Sequence, residues 1–494
     1  MALFLKKFGL LLGILTFFIL QMLDGPASMS VQAWDATSVV ALVAIWWVTE
    51  ALPLSVTALV PIALFPTLNV ITIPEAARPY SSPLILLMIG GFMIALGMQR
   101  WNLHKRIALR VMLFIGSKPS RLVLGFMVAS ALISMWIFNT TTTVMMVPIA
   151  LSVIELVKRD GSSPGWVRHN SNFAAAVMLG IAYGATIGGM CTLIGTAPNA
   201  ILAGFMYESY GVEVSFLNWL MVGLPMGMVL LPTLWWFLVK VVFPLKEDEA
   251  LGENPVIESQ LKNLGEMGKG ERVVATVVSV AAFLWVFRPW INEMIPFVQL
   301  SDMSIALGCG ISLFLVPIEW QKGEFPLTAD WVKKLPWDVV LLFGGGLSLA
   351  AGIKLSGLAD WIGHSVSLFA ALPVTAVVFG IVLIMILLTE FTSNTATTAT
   401  FLPIAGSIAV SMGENPLLLI FPTVLAASCA FMMPVATPPN AVVFGSGQLK
   451  IGQFIKAGIY GNILGLIITM LIGFTMVRWV FGIELGVLPD WAIQ

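Results

Sequence analysis

Two short polar clusters, each set between long apolar stretches, most constrain what this chain can fold into. The first, residues 133–143, runs Ile-Ser-Met-Trp-Ile-Phe-Asn-Thr-Thr-Thr-Thr. The second, residues 388–398, runs Leu-Thr-Glu-Phe-Thr-Ser-Asn-Thr-Ala-Thr-Thr. Each places an Asn-Thr pair and a run of hydroxyls ahead of a proline, Pro148 or Pro403. Further along, each has a matched partner: Gly195-Thr196-Ala197-Pro198-Asn199 and Ala436-Thr437-Pro438-Pro439-Asn440. Hydrocarbon cannot satisfy amides, hydroxyls or the backbone groups that Gly and Pro release. Such clusters survive at membrane depth only where they face protein or a watery cavity. The four elements read as one binding site built twice.

Composition supplies the membrane. The chain is 58% hydrophobic and 10% charged, where a soluble protein has roughly a quarter of its residues charged, and its mean hydropathy is +0.95. This describes an all-α, polytopic integral membrane protein in the lipid bilayer. A net charge of −1 provides no field for nucleic acid, and none is expected as a partner. Cys191, Cys309 and Cys429 lie in apolar segments without metal-ligand spacing and read as small buried hydrophobes. His104, His169 and His364 are scattered, so no metal centre is expected. The 17 Trp are expected to serve as interface anchors and packing.

In chain order, Lys6 and Lys7 precede an apolar run over 8–23, read as a first transmembrane helix with a cytoplasmic N-terminus rather than a cleaved signal. Residues 1–35 stand outside the repeat described below. Apolar segments follow at 36–50, 54–70 and 82–99. Residues 100–121 hold six basic residues and no acid. They read as a solvated loop or interfacial helix, and positive charge beside spans marks the cytoplasmic side. The first polar cluster sits in 122–157, whose arms (122–138 and 143–157) are each short of the roughly 20 residues a crossing needs. A re-entrant hairpin is therefore expected. A span over 172–207 is interrupted at 195–199, and 216–243 spans again. The polar stretch 244–271 is the one evident linker.

The second half repeats the plan: spans at 272–290, 300–317 and 338–353, a weak segment at 357–369, a hairpin at 374–412, an interrupted span at 416–448 and a last span at 456–482. Gly90 and Gly344 are 254 positions apart, Asn139 and Asn394 255, Asn199 and Asn440 241. The first two offsets nearly agree, which points to a duplication of 36–243 as 272–494. The shorter third points to a deletion between hairpin and broken helix. About eleven transmembrane helices plus the two hairpins are expected, with corresponding elements five crossings apart. An odd number inverts the second repeat and places the C-terminus outside. Lys354 is the only basic residue in 354–374, the counterpart of 100–121, in keeping with inversion. Inverted repeats with paired broken helices are a transporter pattern.

Hairpin tips and broken helices release carbonyls, which suit a hard cation, and expose helix N-termini, which suit an anion. Asn139 and Asn394 can each offer an oxygen to a cation and an amide to a carboxylate, with Thr140, Thr395, Thr196 and Thr437 as neutral donors beside them. No Lys or Arg occurs in 122–157, 169–239 or 355–449. An anion held there depends on dipoles, neutral donors and co-bound cations, which is a physical basis for symport. For a single Thr, such as Thr142 or Thr398, a backbone hydrogen bond or a close helix contact is the simpler expectation. Glu390 stands where the first repeat has Met135, and either supports the site, carries a proton or is a structural hydrogen-bonding group. Gly90-Gly91 and Gly344-Gly345-Gly346 read as helix-packing contacts.

At these residues the chain resembles the divalent-anion:sodium symporter (DASS) family, which includes INDY-type dicarboxylate and citrate carriers. The resemblance rests on Trp47-Val48-Thr49-Glu50-Ala51-Leu52-Pro53-Leu54, Ile187-Gly188-Gly189-Met190, Ser393-Asn394-Thr395 and the stretch from Met433 to Asn440, over residues 36 to the C-terminus. It implies a homodimer in which a scaffold domain supports a mobile transport domain that moves as an elevator. It also implies a first sodium site at Ser134, Phe138, Asn139 and Gly195, and a second at Thr389, Thr392, Asn394 and Ala436. Substrate carboxylates would meet Asn139, Thr140, Thr196, Ser393, Asn394, Thr395 and Thr437. One departure is visible: Phe138 stands where the family usually has Ser, which removes a hydroxyl and makes the pocket wall bulkier.

The leading expectation is a bacterial inner-membrane carrier that takes up a C4-dicarboxylate (succinate, malate or fumarate) with co-transported Na+. Sulfate or citrate as substrate, or sodium-independent dicarboxylate exchange, are alternatives within the class. An intramembrane enzyme needs paired carboxylates, a Ser-Lys or Ser-His pairing or metal ligands. Glu390 has no acidic partner in the first repeat, and His169 lies in a polar loop. A channel fits the paired broken helices less well than alternating access does.

Overall fold

The computed structural model describes residues 2–159, 164–245, 255–365 and 372–493. The acidic centre of the expected linker, part of the weak segment after 357 and the side chains of His169 and His364 lie outside the described residues. Among those residues the chain is helical, and its one β pairing is the isolated bridge between Glu319 and Glu324.

Among the described residues, seven helices are long and apolar enough to cross a membrane: Val31–Thr49, Ile73–Arg100, Ser171–Cys191, Phe216–Val242, Lys269–Met294, Trp337–Leu355 and Ile451–Phe481. Five shorter apolar helices accompany them. These include Pro119–Ser134 and Val374–Thr389, the leading arms of the two polar-tipped hairpins. The segment expected as one span over 54–70 is two short helices, Leu54–Thr57 and Val60–Thr67. Proline explains the division: Pro61 lacks an N–H and is tolerated in a first helical turn, so a new helix starts around it.

Small residues set the closest approaches. Gly180, Gly184 and Gly188 recur every four residues on Pro164–Cys191. A Cβ on Gly184 or Gly188 would strike the backbone of Met127 or Ala131 on the hairpin arm Pro119–Ser134. This is the small-residue stripe by which helices in hydrocarbon gain dispersion contacts. Gly90 meets the Ala306 backbone, and Gly345 meets the Ala58 backbone. The glycine pairs are packing contacts between Pro83–Arg100 and Asp302–Leu315, and between Trp337–Leu355 and Leu54–Thr57.

One sequence expectation is corrected here. Residues 100–121 contain a helix, Leu103–Ile115, and Arg106 on it is buried. Its guanidinium holds Glu271 in a two-pronged ion pair, Nε to Oε1 at 2.6 Å and Nη2 to Oε2 at 3.0 Å. Nη1 also donates to the Gly265 carbonyl at 2.9 Å. This hydrogen-bonded partnership raises the Arg106 pKa further above its ordinary value. Arg106 is thus not solvated, because its partner comes from the far end of the linker.

Candidate functional site

Each hairpin tip is a four-residue interruption. The first arm ends at Ser134 and the next helix begins at Asn139; the second ends at Thr389 and the next begins at Asn394. In both, the last hydroxyl of the leading arm reaches the carboxamide that opens the trailing one. Ser134 Oγ donates to Asn139 Oδ1 at 2.5 Å, and Thr389 Oγ1 lies 2.6 Å from Asn394 Oδ1. Thr389 Oγ1 is also 2.6 Å from the Ala427 carbonyl. Neither Asn Nδ2 has a protein partner among the described residues. The oxygen of each amide is therefore held by a hydroxyl while its donor side is left available.

The helix breaks are equally matched. Pro164–Cys191 stops before Thr192, and Ala197–Tyr210 starts after Thr196. Leu417–Ala427 and Pro438–Gly445 frame the other break. Gly195 N donates to the Thr192 carbonyl (3.3 Å) and Ala436 N to that of Met433 (3.2 Å), the same turn twice. Thr196 and Thr437 cap the following helices with extended backbone, and Thr437 Oγ1 accepts from Asn440 N at 3.3 Å.

The two hairpins and the two breaks then pack crosswise. Pro438–Gly445 packs on Asn139–Arg159, and Ala197–Tyr210 packs on Asn394–Ser411, so each post-break helix packs on the hairpin of the other half. Tyr183 Oη donates to the Phe431 carbonyl at 2.8 Å, tying the first interrupted helix to the second break. The hydroxyls of Thr140, Thr196, Ser393 and Thr395 are half-buried and make no hydrogen bond to the protein among the described residues. They are donors without a partner beside helix N-termini, which is what an incoming anion requires. Thr392 differs: it is buried, with Oγ1 2.8 Å from the Leu388 carbonyl and 2.6 Å from Thr397 Oγ1. Gly195 and Ala436 are buried in their breaks. Thr142 and Thr398 are buried without a hydroxyl partner, whereas Thr143 bonds the Asn139 carbonyl.

Phe138 turns its ring onto Phe92 of Pro83–Arg100, with centroids 4.7 Å apart. Its neighbour Trp136 lies against Phe216 and Trp285, at 6.5 and 6.3 Å. The first tip is thereby packed under aromatic rings, while Phe391 on the second tip is 70% exposed. The asymmetry continues at Glu390, which is buried. Its carboxylate accepts from the backbone N–H groups of Phe431, Met432 and Met433 at 2.8–3.1 Å, and from Asn462 Nδ2 at 2.7 Å. Every partner is a donor, so the carboxylate caps the backbone of the second break.

Sequence reasoning singled out Asn199 and Asn440 only as parts of a motif, and did not single out Tyr183, Thr192 or Asn462. Thr192 Oγ1 donates to the Met135 carbonyl at 2.6 Å, joining break to tip in the first repeat. No local pattern marks an isolated Tyr or Asn in an apolar helix, since each matters through a distant partner, 248 positions away for Tyr183 and 72 for Asn462. No group of three or more His, Cys, Asp or Glu capable of holding a metal occurs among the described residues.

The family described as the sodium:sulfate symporter transmembrane region matches residues 5–483 of this chain. A relative named sodium-dependent dicarboxylate transporter SdcS, from Staphylococcus saprophyticus, is 38% identical over 482 residues, covering 96% of this chain and 92% of that protein. The protein of the same name in Staphylococcus aureus (strain USA300) is 37% identical over 481 residues, covering 97% and 92%. Among solved structures, the YdaH transporter of Alcanivorax borkumensis matches with a TM-score of 0.53 at 14% identity, covering 82% of this chain and 88% of that one. At that identity the likeness speaks for the fold alone. The hairpins and broken helices are accordingly those of a carrier rather than an enzyme, and the chain belongs to the sodium:sulfate symporter family, the divalent-anion:sodium symporters, as a multi-pass membrane protein.

Proposed function

We propose that this protein couples sodium entry to the uptake of a C4-dicarboxylate such as succinate, malate or fumarate. The observation that carries the reading is the pair of Ser/Thr–Asn couples, Ser134–Asn139 and Thr389–Asn394, each gathering oxygens on one side of the carboxamide and leaving its amide donor free. Cations fit the oxygen side: Ser134, Asn139 and the Phe138 and Gly195 backbone at the first site, and Thr389, Thr392, Asn394 and the Ala436 backbone at the second. The free donors of Asn139, Thr140, Thr196, Ser393, Asn394 and Thr395, with Thr437, fit carboxylates. Two or more sodium ions per substrate match two such sites. The relatives named sodium-dependent dicarboxylate transporters support this substrate class.

The division into inverted repeats 36–243 and 272–494, re-entrant hairpins, a scaffold and an elevator-type transport domain, a homodimer and a bacterial inner-membrane location with the N-terminus cytoplasmic belong to the same proposal. The equal four-residue tips and matched breaks support the repeats. The family's own description names sulfate, which makes sulfate the second reading.

Uptake of radiolabelled succinate into proteoliposomes tests the proposal, with an inward sodium gradient set against an equal potassium gradient. Uptake only with sodium, competed by malate and fumarate and poorly by sulfate, is the expected result. Sodium-independent uptake that needs internal dicarboxylate would instead identify an exchanger, and competition by sulfate alone would select the second reading.

A further inference from the structure

Asn199 and Asn440 occupy the third position of the helix that follows each break. Asn199 Nδ2 donates to the carbonyls of Gly189 (2.9 Å) and Thr192 (2.7 Å), ten and seven residues behind it. Asn440 Nδ2 donates to those of Ala430 (3.1 Å) and Met433 (3.0 Å), again ten and seven residues behind. Both residues are 0% exposed, and both Oδ1 atoms are buried without a donor in the protein. A buried acceptor left unpaired is unfavourable, and an apolar side chain of similar size would avoid it. The amide group is therefore what these positions require.

What it does follows from its place. The end of an interrupted helix has carbonyls with no intrahelical partner. One –NH2 takes two carbonyls at or beyond that end and ties the break to the start of the next helix. In the first repeat the clamp acts on the predicted cation ligand directly: the Asn139 carboxamide occupies the face where Gly189 lacks a Cβ, and a Cβ on Gly195 would lie 2.5 Å from the Gly189 carbonyl.

We propose that Asn199 and Asn440 are a duplicated pair of positioning residues that hold each helix break at the width its sodium site needs. They touch the broken-helix carbonyls, and through those carbonyls set the sodium affinity of each half. This rests on the sodium-coupled reading above.

The test uses the full chain in proteoliposomes with Asn199→Asp and Asn440→Asp, which replace the two-bond donor by an acceptor of equal shape. Asn199→Ser and Asn440→Ser, which keep one hydroxyl donor, serve if the aspartates fail to fold. The sodium concentration for half-maximal succinate uptake should rise by about tenfold or more, as for other residues that orient metal ligands. Succinate half-saturation at saturating sodium should stay near wild type, whereas burying a carboxylate or leaving a carbonyl unpaired lowers the melting temperature in sodium-free buffer by itself. Loss of melting temperature and maximal uptake with sodium half-saturation intact would mean a purely structural role and would overturn the proposal. The rise in melting temperature on exchanging potassium for sodium gives a readout without transport, and the variants should lose it. If wild-type uptake proves sodium-independent, the transport reading fails by itself. The clamp is then decided by that melting shift: absence of the shift in the wild type, or its retention in the variants, overturns it.

Discussion

At the scale of single residues, the molecule solves one problem in two ways. Both breaks leave backbone groups without a helical partner. The first has Thr192 Oγ1 on the Met135 carbonyl. The second has the Glu390 carboxylate accepting from three consecutive N–H groups and from Asn462. The sequence left Glu390 open between a proton site and a structural acceptor, and the four donors around it favour the structural role. Glu390→Ala should strand those donors at a cost of about 3 kcal/mol or more. Heat denaturation of the purified variant should show a much lower midpoint, with transport lost. A variant as stable as wild type, whose uptake merely changes in pH profile, would restore the proton-site alternative.

At the scale of elements, the hairpins and interrupted helices were legible because polar residues inside apolar runs have few ways to be satisfied. The tips at Asn139 and Asn394 lie where the sequence put them. The arms, expected from 122 and to 157, run from Pro119 and to Arg159. What the linear pattern lacked was the partner of each face. Gly90 and Gly345 were read as packing residues, yet only their neighbours, the backbones of Ala306 and Ala58, show how little room exists. Gly345→Val should force the two helices apart, a change of about 1–3 kcal/mol in a close-packed interior. Gly308→Ala, where a Cβ meets nothing within 4 Å, should behave as wild type. Yield of monodisperse protein and its melting temperature distinguish the two.

At the scale of the whole molecule, the two halves pack along several helix pairs, Pro83–Arg100 on Asp302–Leu315 among them, and a buried ion pair adds to these contacts. The Arg106–Glu271 pair joins a helix of the first half to the start of Lys269–Met294 across 165 positions. Removing one partner leaves a buried charge, so Arg106→Met should cost about 3–5 kcal/mol, and adding Glu271→Leu should recover most of that. Melting temperatures of the single and double variants measure the difference, and equal losses in both would show that packing rather than charge holds the joint. This joint also marks the limit of what sequence could offer. Hydropathy, the doubled Asn-Thr tips and the doubled Pro-Asn breaks are local patterns. They determined a helical membrane protein with two polar tips and two helix breaks, because the bilayer leaves backbone polar groups so few solutions. The crosswise pairing of each post-break helix with the other hairpin, the burial of Arg106, the docking of Phe138 on Phe92 and the clamps made by Asn199 and Asn440 were decided by tertiary structure. Each depends on which distant surface arrives opposite a given side chain, and no periodicity within one segment encodes that.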